Sequence, residues 1–256
     1  MKITILGSGS AYGTPNVFND WGQIKNKQNK KNTRTRASTY IEIDNTKILV
    51  DMTPEFREQI NNNNINDIDA IFLTHGHYDH IASVPELWRA AHILQKKINI
   101  FCFKDTYTEI KTCFPYLFKA NIEKGSDAII WNVLEENESF IFNNIEWQTF
   151  QVKHGRLTTT AFKHKNFAIV MDVEQISIEN KEKIKNLDLL ILECCNGLEK
   201  IANGHNDFIQ TKNWLKEIKP KRTILTHISV KVDHDELESQ VPNNVELAYD
   251  GMTVYL

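Results

Sequence analysis

The chain opens on alternating polar and apolar positions, Lys2-Ile3-Thr4-Ile5, the period-two pattern of a strand with one buried face. Reading for that alternation, or for short apolar runs between turn residues, predicts strands at Lys2–Leu6, Thr39–Ile43, Lys47–Asp51 and Ala70–Thr74. A second set is predicted at Ile145–Val152, Thr160–His164, Phe167–Asp172, Leu187–Leu192, Thr223–Thr226 and Val245–Tyr249. Three-and-four spacing of apolar residues predicts helices over Pro54–Asn62, Pro85–Gln95, Asp105–Phe114, Ser177–Asn186 and Asn206–Ile218. Thr53-Pro54 and Asp207 carry the chemistry of helix starts. Strands and helices interleave with no Pro/Gly/Ser-rich linker, so one layered α/β domain over 1–256 is expected. Between Tyr12 and Arg36 periodicity is lost, and loops of that length in a compact domain tend to be functional or disordered.

Composition narrows the class only a little. Apolar residues at 41% and charged residues at 25% suit a globular protein with a substantial core. A net charge of −3 does not itself call for nucleic acid or a membrane surface. The balance is uneven, because Lys25, Lys27, Lys30, Lys31, Arg34 and Arg36 form a basic run with no acidic residue among them. The first apolar stretch is too short for a signal-peptide core, and no window approaches the roughly 18 apolar residues of a membrane span. Cys102, Cys113, Cys194 and Cys195 have neither disulfide-framework nor CxxC spacing, so a reducing cytoplasm is the expected compartment.

Chemistry concentrates at Thr74-His75-Gly76-His77-Tyr78-Asp79-His80, directly after the apolar Ile71-Phe72-Leu73. His75 and His77, one residue apart, can project to the same side of an extended turn, and Asp79 and His80 can face a second point as the chain turns. Imidazole nitrogen with carboxylate oxygen suits zinc, manganese or iron. His154, Asp172 and His227 each stand where a predicted strand ends, so all can reach one edge of the fold. His92, His164 and His234 lack that placement and are read as structural or solvated.

These features resemble the metallo-β-lactamase superfamily in its PhnP-like phosphodiesterase branch. The likeness runs nearly end to end, through Gly7-Ser8-Gly9-Ser10, Gly13-Thr14-Pro15, Arg34-Thr35-Arg36-Ala37-Ser38, the HxHxDH motif, Leu225-Thr226-His227-Ile228-Ser229 and Tyr249-Asp250-Gly251-Met252. It implies an αββα four-layer sandwich with metals at one edge. One ion would sit on His75, His77 and His154, a second on Asp79, His80 and His227, with Asp172 bridging. His205, which lies 22 positions before His227, matches the branch's general acid, and Asp79 is counted with it as catalytic. Many relatives hold a structural zinc on cysteines of the opening loop; Asn16–Asn32 has none, so no structural zinc is expected there. Asp51 and Asp250 are candidates to steady ligand histidines through the second ring nitrogen.

The expected cofactors are therefore two divalent ions, zinc or manganese, and the expected reaction is attack of an activated water on a small cyclic phosphate or nucleotide-like ester. The basic run and the backbone N–H groups of Gly7–Gly9 are candidates to hold a distal phosphate, although a charged loop is also simply well solvated. A ribonuclease Z-like nuclease, a thioester or lactone hydrolase, and a metal-binding protein without turnover stay open. A small phosphodiester is the favoured partner over nucleic acid, with no membrane, and a homodimer is compatible with the sequence.

Overall fold

A computed structural model describes residues 1–118, 128–135, 138–198 and 204–256. The strands are β1 (Lys2–Gly7), β2 (Ser38–Ile43), β3 (Thr46–Val50), β4 (Ala70–Phe72), β5 (Ile98–Phe103), β6 (Ile129–Leu134), β7 (Ser139–Phe142), β8 (Ile145–His154), β9 (Leu157–His164), β10 (Phe167–Val170), β11 (Leu189–Glu193), β12 (Thr223–Thr226), β13 (Val245–Leu247) and β14 (Met252–Tyr255). The helices are α1 (Phe56–Asn62), α2 (Tyr78–Ile81), α3 (Leu87–Leu94), α4 (Lys104–Cys113), α5 (Ile178–Lys183), α6 (Phe208–Ile218) and α7 (His234–Glu238).

Two seven-stranded sheets form, ordered β14-β1-β2-β3-β4-β5-β6 and β13-β12-β11-β10-β9-β8-β7. Ile3, Ile5, Ile48 and Phe72 from the first meet Trp147, Phe162, Ile169 and Ile191 from the second in one buried cluster, so the sheets pack face to face. The outer face of the first sheet is covered by Phe56, Leu87, Ala91 and Ile110 of α1, α3 and α4, and that of the second by Phe208, Trp214 and Leu237 of α6 and α7. This is the αββα sandwich. Burial on both faces explains why the parallel strands β4, β11 and β12 read as apolar runs without alternation.

Strands β5, β6, β7 and β14 were not among those predicted. For β7 a signal existed, because Asn143 and Asn144 (φ 50° and 63°) make the left-handed two-residue turn typical of a hairpin into β8. Asp207 caps α6 as predicted, accepting from the Gln210 N–H at 2.8 Å. At the first helix the expected start moves inward: Thr53 Oγ1 accepts from the Glu55 N–H, and α1 begins at Phe56.

What this topology does for function is to gather strand ends. Strands β3 and β4 run parallel, as do β10, β11 and β12, and β8 shares the direction of β10 through the intervening antiparallel β9. Carboxyl ends of parallel strands are where α/β folds leave room for ligands. The residues following β3, β4, β8, β10 and β12 include Asp51, the His75–His80 turn, Gly155, Asp172 and His227. No helix among the described residues is long and apolar enough to cross a membrane.

Candidate metal centre

The structure brings together seven of the predicted residues. His75, His77, His154 and Asp172 form one group, and Asp79, His80, Asp172 and His227 another, with ligand atoms in each within 4.8 Å of one another. In the first group, Nε2 of His75 lies 2.8 Å and Nε2 of His154 3.3 Å from Nδ1 of His77, while both Nε2 atoms lie 3.7 Å from Asp172 Oδ2. In the second, His80 Nε2 is 3.0 Å from Asp79 Oδ2 and 3.5 Å from Asp172 Oδ1, and His227 Nε2 is 3.6 Å and 3.2 Å from the same two atoms. The two carboxylate oxygens of Asp172 thus face different groups.

These spacings fit divalent cations. Atoms about 2.1 Å from a shared tetrahedral ion lie about 3.4 Å from one another, close to the separations here. Nε2 of His80, Oδ1 of Asp172 and both ring nitrogens of His227 are buried and lack a hydrogen-bond partner among the described residues. Buried polar atoms are rarely left so, and a cation would satisfy the three that converge. Charge agrees. Burial and the neighbouring His80 push His75 well down, leaving it neutral with a lone pair free. Burial alone would raise Asp172, but His227 and His80 hold it well below the usual carboxylate range. Burial opposes a proton on His80, yet Asp79, Asp172 and Asp51 raise its pKa well above normal. A cation bound there would supply the positive charge that the protonated imidazole otherwise provides.

The other ring nitrogens of His80 and His154 are tied down. Nδ1 of His80 is 2.7 Å from Asp51 Oδ2, and Asp51 also accepts from the N–H and hydroxyl of Thr74. Nδ1 of His154 donates to the Gly204 carbonyl at 2.5 Å; a Cβ at Gly204, where φ is +94°, would lie 3.3 Å from that nitrogen. Such second partners fix which nitrogen faces the metal. Asp51, Asp172 and His227 all have left-handed backbones (φ 64°, 48° and 57°) within two residues of strand ends. A non-glycine residue there costs about 1–3 kcal/mol, a strain that persists only where surrounding structure enforces it.

His205 stands beside both groups, its ring centroid 4.7 Å from that of His154 and 5.3 Å from that of His227. Its Nδ1 is 2.5 Å from Oε1 of Glu193, whose other oxygen accepts from the Val173 N–H. Burial opposes its charge, but Glu193, Asp172 and Asp79 raise its pKa to about 9. Glu193 was missed by the sequence reading, although a carboxylate ending the apolar run Leu189-Leu190-Ile191-Leu192 was a signal for it. With Cys195, His205 and His227 it makes a further group of potential ligands.

Two expectations are corrected. Asp250 does not steady a ligand histidine: one oxygen accepts from the N–H and hydroxyl of Ser8, the other from those of Thr35, which fastens the opening loop to the last strand. The N–H groups of Ser8 and Gly9 are not free for phosphate either, being bound to Asp250 and to the Thr35 carbonyl. The basic run is largely committed. Lys25 and Lys31 pair with Glu236 and Glu238 of α7, Arg36 pairs with Glu55, and the buried Arg34 guanidinium donates to the carbonyls of Ser229 and Val232. Asp233 accepts from the N–H groups of Lys25 and Asn26 and from Asn32, so a polar clamp orders this cysteine-free loop. His92 is exposed, His164 bonds the Glu146 carbonyl, and His234 is buried beside Asn32.

Comparison with known proteins adds the following. Residues 46–228 match the model of the beta-lactamase superfamily domain. An octanoyltransferase of Porphyromonas gingivalis is 26% identical over 256 residues, which take in 98% of this chain and 51% of that protein. The chain therefore spans about half the length of that curated relative. Among solved structures, a diphosphatase from the PhnP family has a TM-score of 0.90 at 26% identity, covering 100% of this chain and 97% of the other. The short form of human tRNase Z has a TM-score of 0.69 at 22% identity, covering 100% and 99%, a likeness of fold alone.

Proposed function

The chain belongs to the metallo-β-lactamase superfamily, in its PhnP-like branch, and from that premise we propose that it hydrolyses small phosphodiesters, cyclic or nucleotide-like, with two divalent ions, zinc or manganese. The observation that carries the reading is the Glu193–His205 pair set against the two ligand groups. Hydrolysis of a phosphodiester must expel an alkoxide, and a histidine poised beside the centre can protonate it.

His75, His77 and His154 would hold one ion and Asp79, His80 and His227 the other, with one oxygen of Asp172 turned to each. When bound, such a pair supplies Lewis acidity, making water nucleophilic near neutral pH and neutralising charge on the phosphoryl oxygens. Asp79, kept ionised by His80 and His227 despite burial, can orient the attacking water by accepting its hydrogen bond. Glu193 takes Nδ1 of His205, so Nε2 is the nitrogen left to give a proton to the leaving oxygen. Glu193, Asp172 and Asp79 outweigh burial and raise the pKa of His205 to about 9, so the ring keeps the proton it would donate.

Hydrolysis of an acyl thioester is a second reading; the Porphyromonas relative is named for octanoyl transfer, and its chain is about twice as long. A nuclease is less well supported, because most of the basic run is neutralised by α7, buried or paired with Glu55. The deciding experiment is a panel of 2′,3′-cyclic nucleotides, a ribosyl cyclic phosphate, short RNA and an octanoyl thioester, assayed with zinc and with manganese. Turnover of the small phosphodiesters at least tenfold above the rest is expected; faster thioester cleavage would sink the proposal.

A further inference from the structure

His77 is the exposed member of its ligand group, so the centre opens to solvent on that side. Two exposed apolar side chains neighbour ligand residues, one across a hairpin and one along the chain. Leu157, 50% exposed, is paired with His154 in the β8–β9 register. Directly opposed residues of an antiparallel pair project from the same face with Cβ atoms about 5 Å apart, so Leu157 rises beside a ligand histidine. Tyr78, 66% exposed, begins α2 between His77 and Asp79. Its ring has no aromatic neighbour and its hydroxyl no hydrogen-bond partner among the described residues. A single exposed apolar residue needs no explanation, but a tyrosine and a leucine each next to a ligand histidine are suited to touch whatever the centre holds.

We propose that Tyr78 and Leu157 are an apolar rim that selects substrates carrying a ring or hydrocarbon substituent next to the anionic group held at the metal centre. This deepens the phosphodiesterase reading and rests on it for the anionic group. The substituent would cover the tyrosine ring by stacking and Leu157 by simple burial, while the charged end stays among the histidines. Selection here acts on binding, not on the chemical step, so it moves KM and inhibitor affinity more than kcat.

The test is calorimetric titration of the zinc-loaded full chain with phenylphosphonate and methylphosphonate, neither of which can be hydrolysed. Phenylphosphonate is expected to bind about tenfold more tightly, the scale of one good aromatic contact. Its advantage should fall below about threefold in Tyr78→Ala and in Leu157→Asn and persist in Tyr78→Phe. Equal affinity of the two ligands, binding of neither, or an advantage undiminished in both variants would overturn the rim. The same preparations assayed with bis-p-nitrophenyl phosphate separate the two readings: absence of hydrolysis counts against the phosphodiesterase, whereas ring preference in titration supports the rim.

Discussion

Nδ1 of His205 and Oε1 of Glu193 lie 2.5 Å apart, a contact that aims the imidazole and sets its charge at once. Losing the carboxylate removes both effects. Glu193→Gln is expected to lower kcat by about 10–100-fold, and His205→Ala by about 100-fold or more, with metal content unchanged in each. Steady-state kinetics with elemental analysis of the same samples checks this; a His205→Ala enzyme working at the wild-type rate would remove His205 from the reaction.

Asp172 offers one oxygen to each ligand group, so its loss should cost both ions. Asp172→Ala is expected to abolish metal-dependent turnover and to bring bound metal to well below one ion per chain. Retention of full metal content would refute the shared-ligand reading.

Asp51 bonds directly to His80 of the second group and reaches His75 of the first only through the Thr74 hydroxyl. Asp51→Asn should therefore weaken one site selectively, by about 10–100-fold in affinity. Titration with a competing chelator should resolve two classes of site in the variant, one near the wild-type affinity. An equal weakening of both would show that Asp51 supports the centre as a whole.

Removing metal leaves Asp79, Asp172 and the surrounding imidazoles facing one another without a cation. Zinc at about 100 times its dissociation constant should stabilise the chain by about 2.7 kcal/mol, or about 5–10 °C in Tm. Thermal melts in chelator and in zinc measure it, and identical melting points would argue against a bound cation.

Arg34 is 2% exposed and donates to the carbonyls of Ser229 and Val232 and to Asn32. Arg34→Ala strands those acceptors and is expected to destabilise the chain by about 3 kcal/mol. The segment it grips follows His227, so weaker metal binding should accompany the loss. Urea unfolding with metal titration tests the pair; a variant as stable as wild type would mean the clamp is dispensable.

The sequence by itself determined the family and the kind of layers. His75, His77, Asp79 and His80 lie so close along the chain that local geometry alone makes them neighbours. The strand and helix patterns were likewise legible, because burial of one face stamps a period on the residues that form it. His154, Asp172 and His227 were legible only as strand ends, and that rule carried no distances. Glu193 ends an apolar run, a signal of strand-end placement, but its partner His205 lies 12 positions on, and only the fold brings the two together. Asp250 was misplaced because its partners, Ser8 and Thr35, lie 242 and 215 positions away. The basic run looked available for phosphate until folding set α7 against it. Tertiary structure decided these points because hydrogen bonds and ion pairs form between whatever groups the packed sheets bring within reach. Which strand ends meet, and on which oxygen of Asp172, follows from sheet order and twist and not from any one segment's pattern.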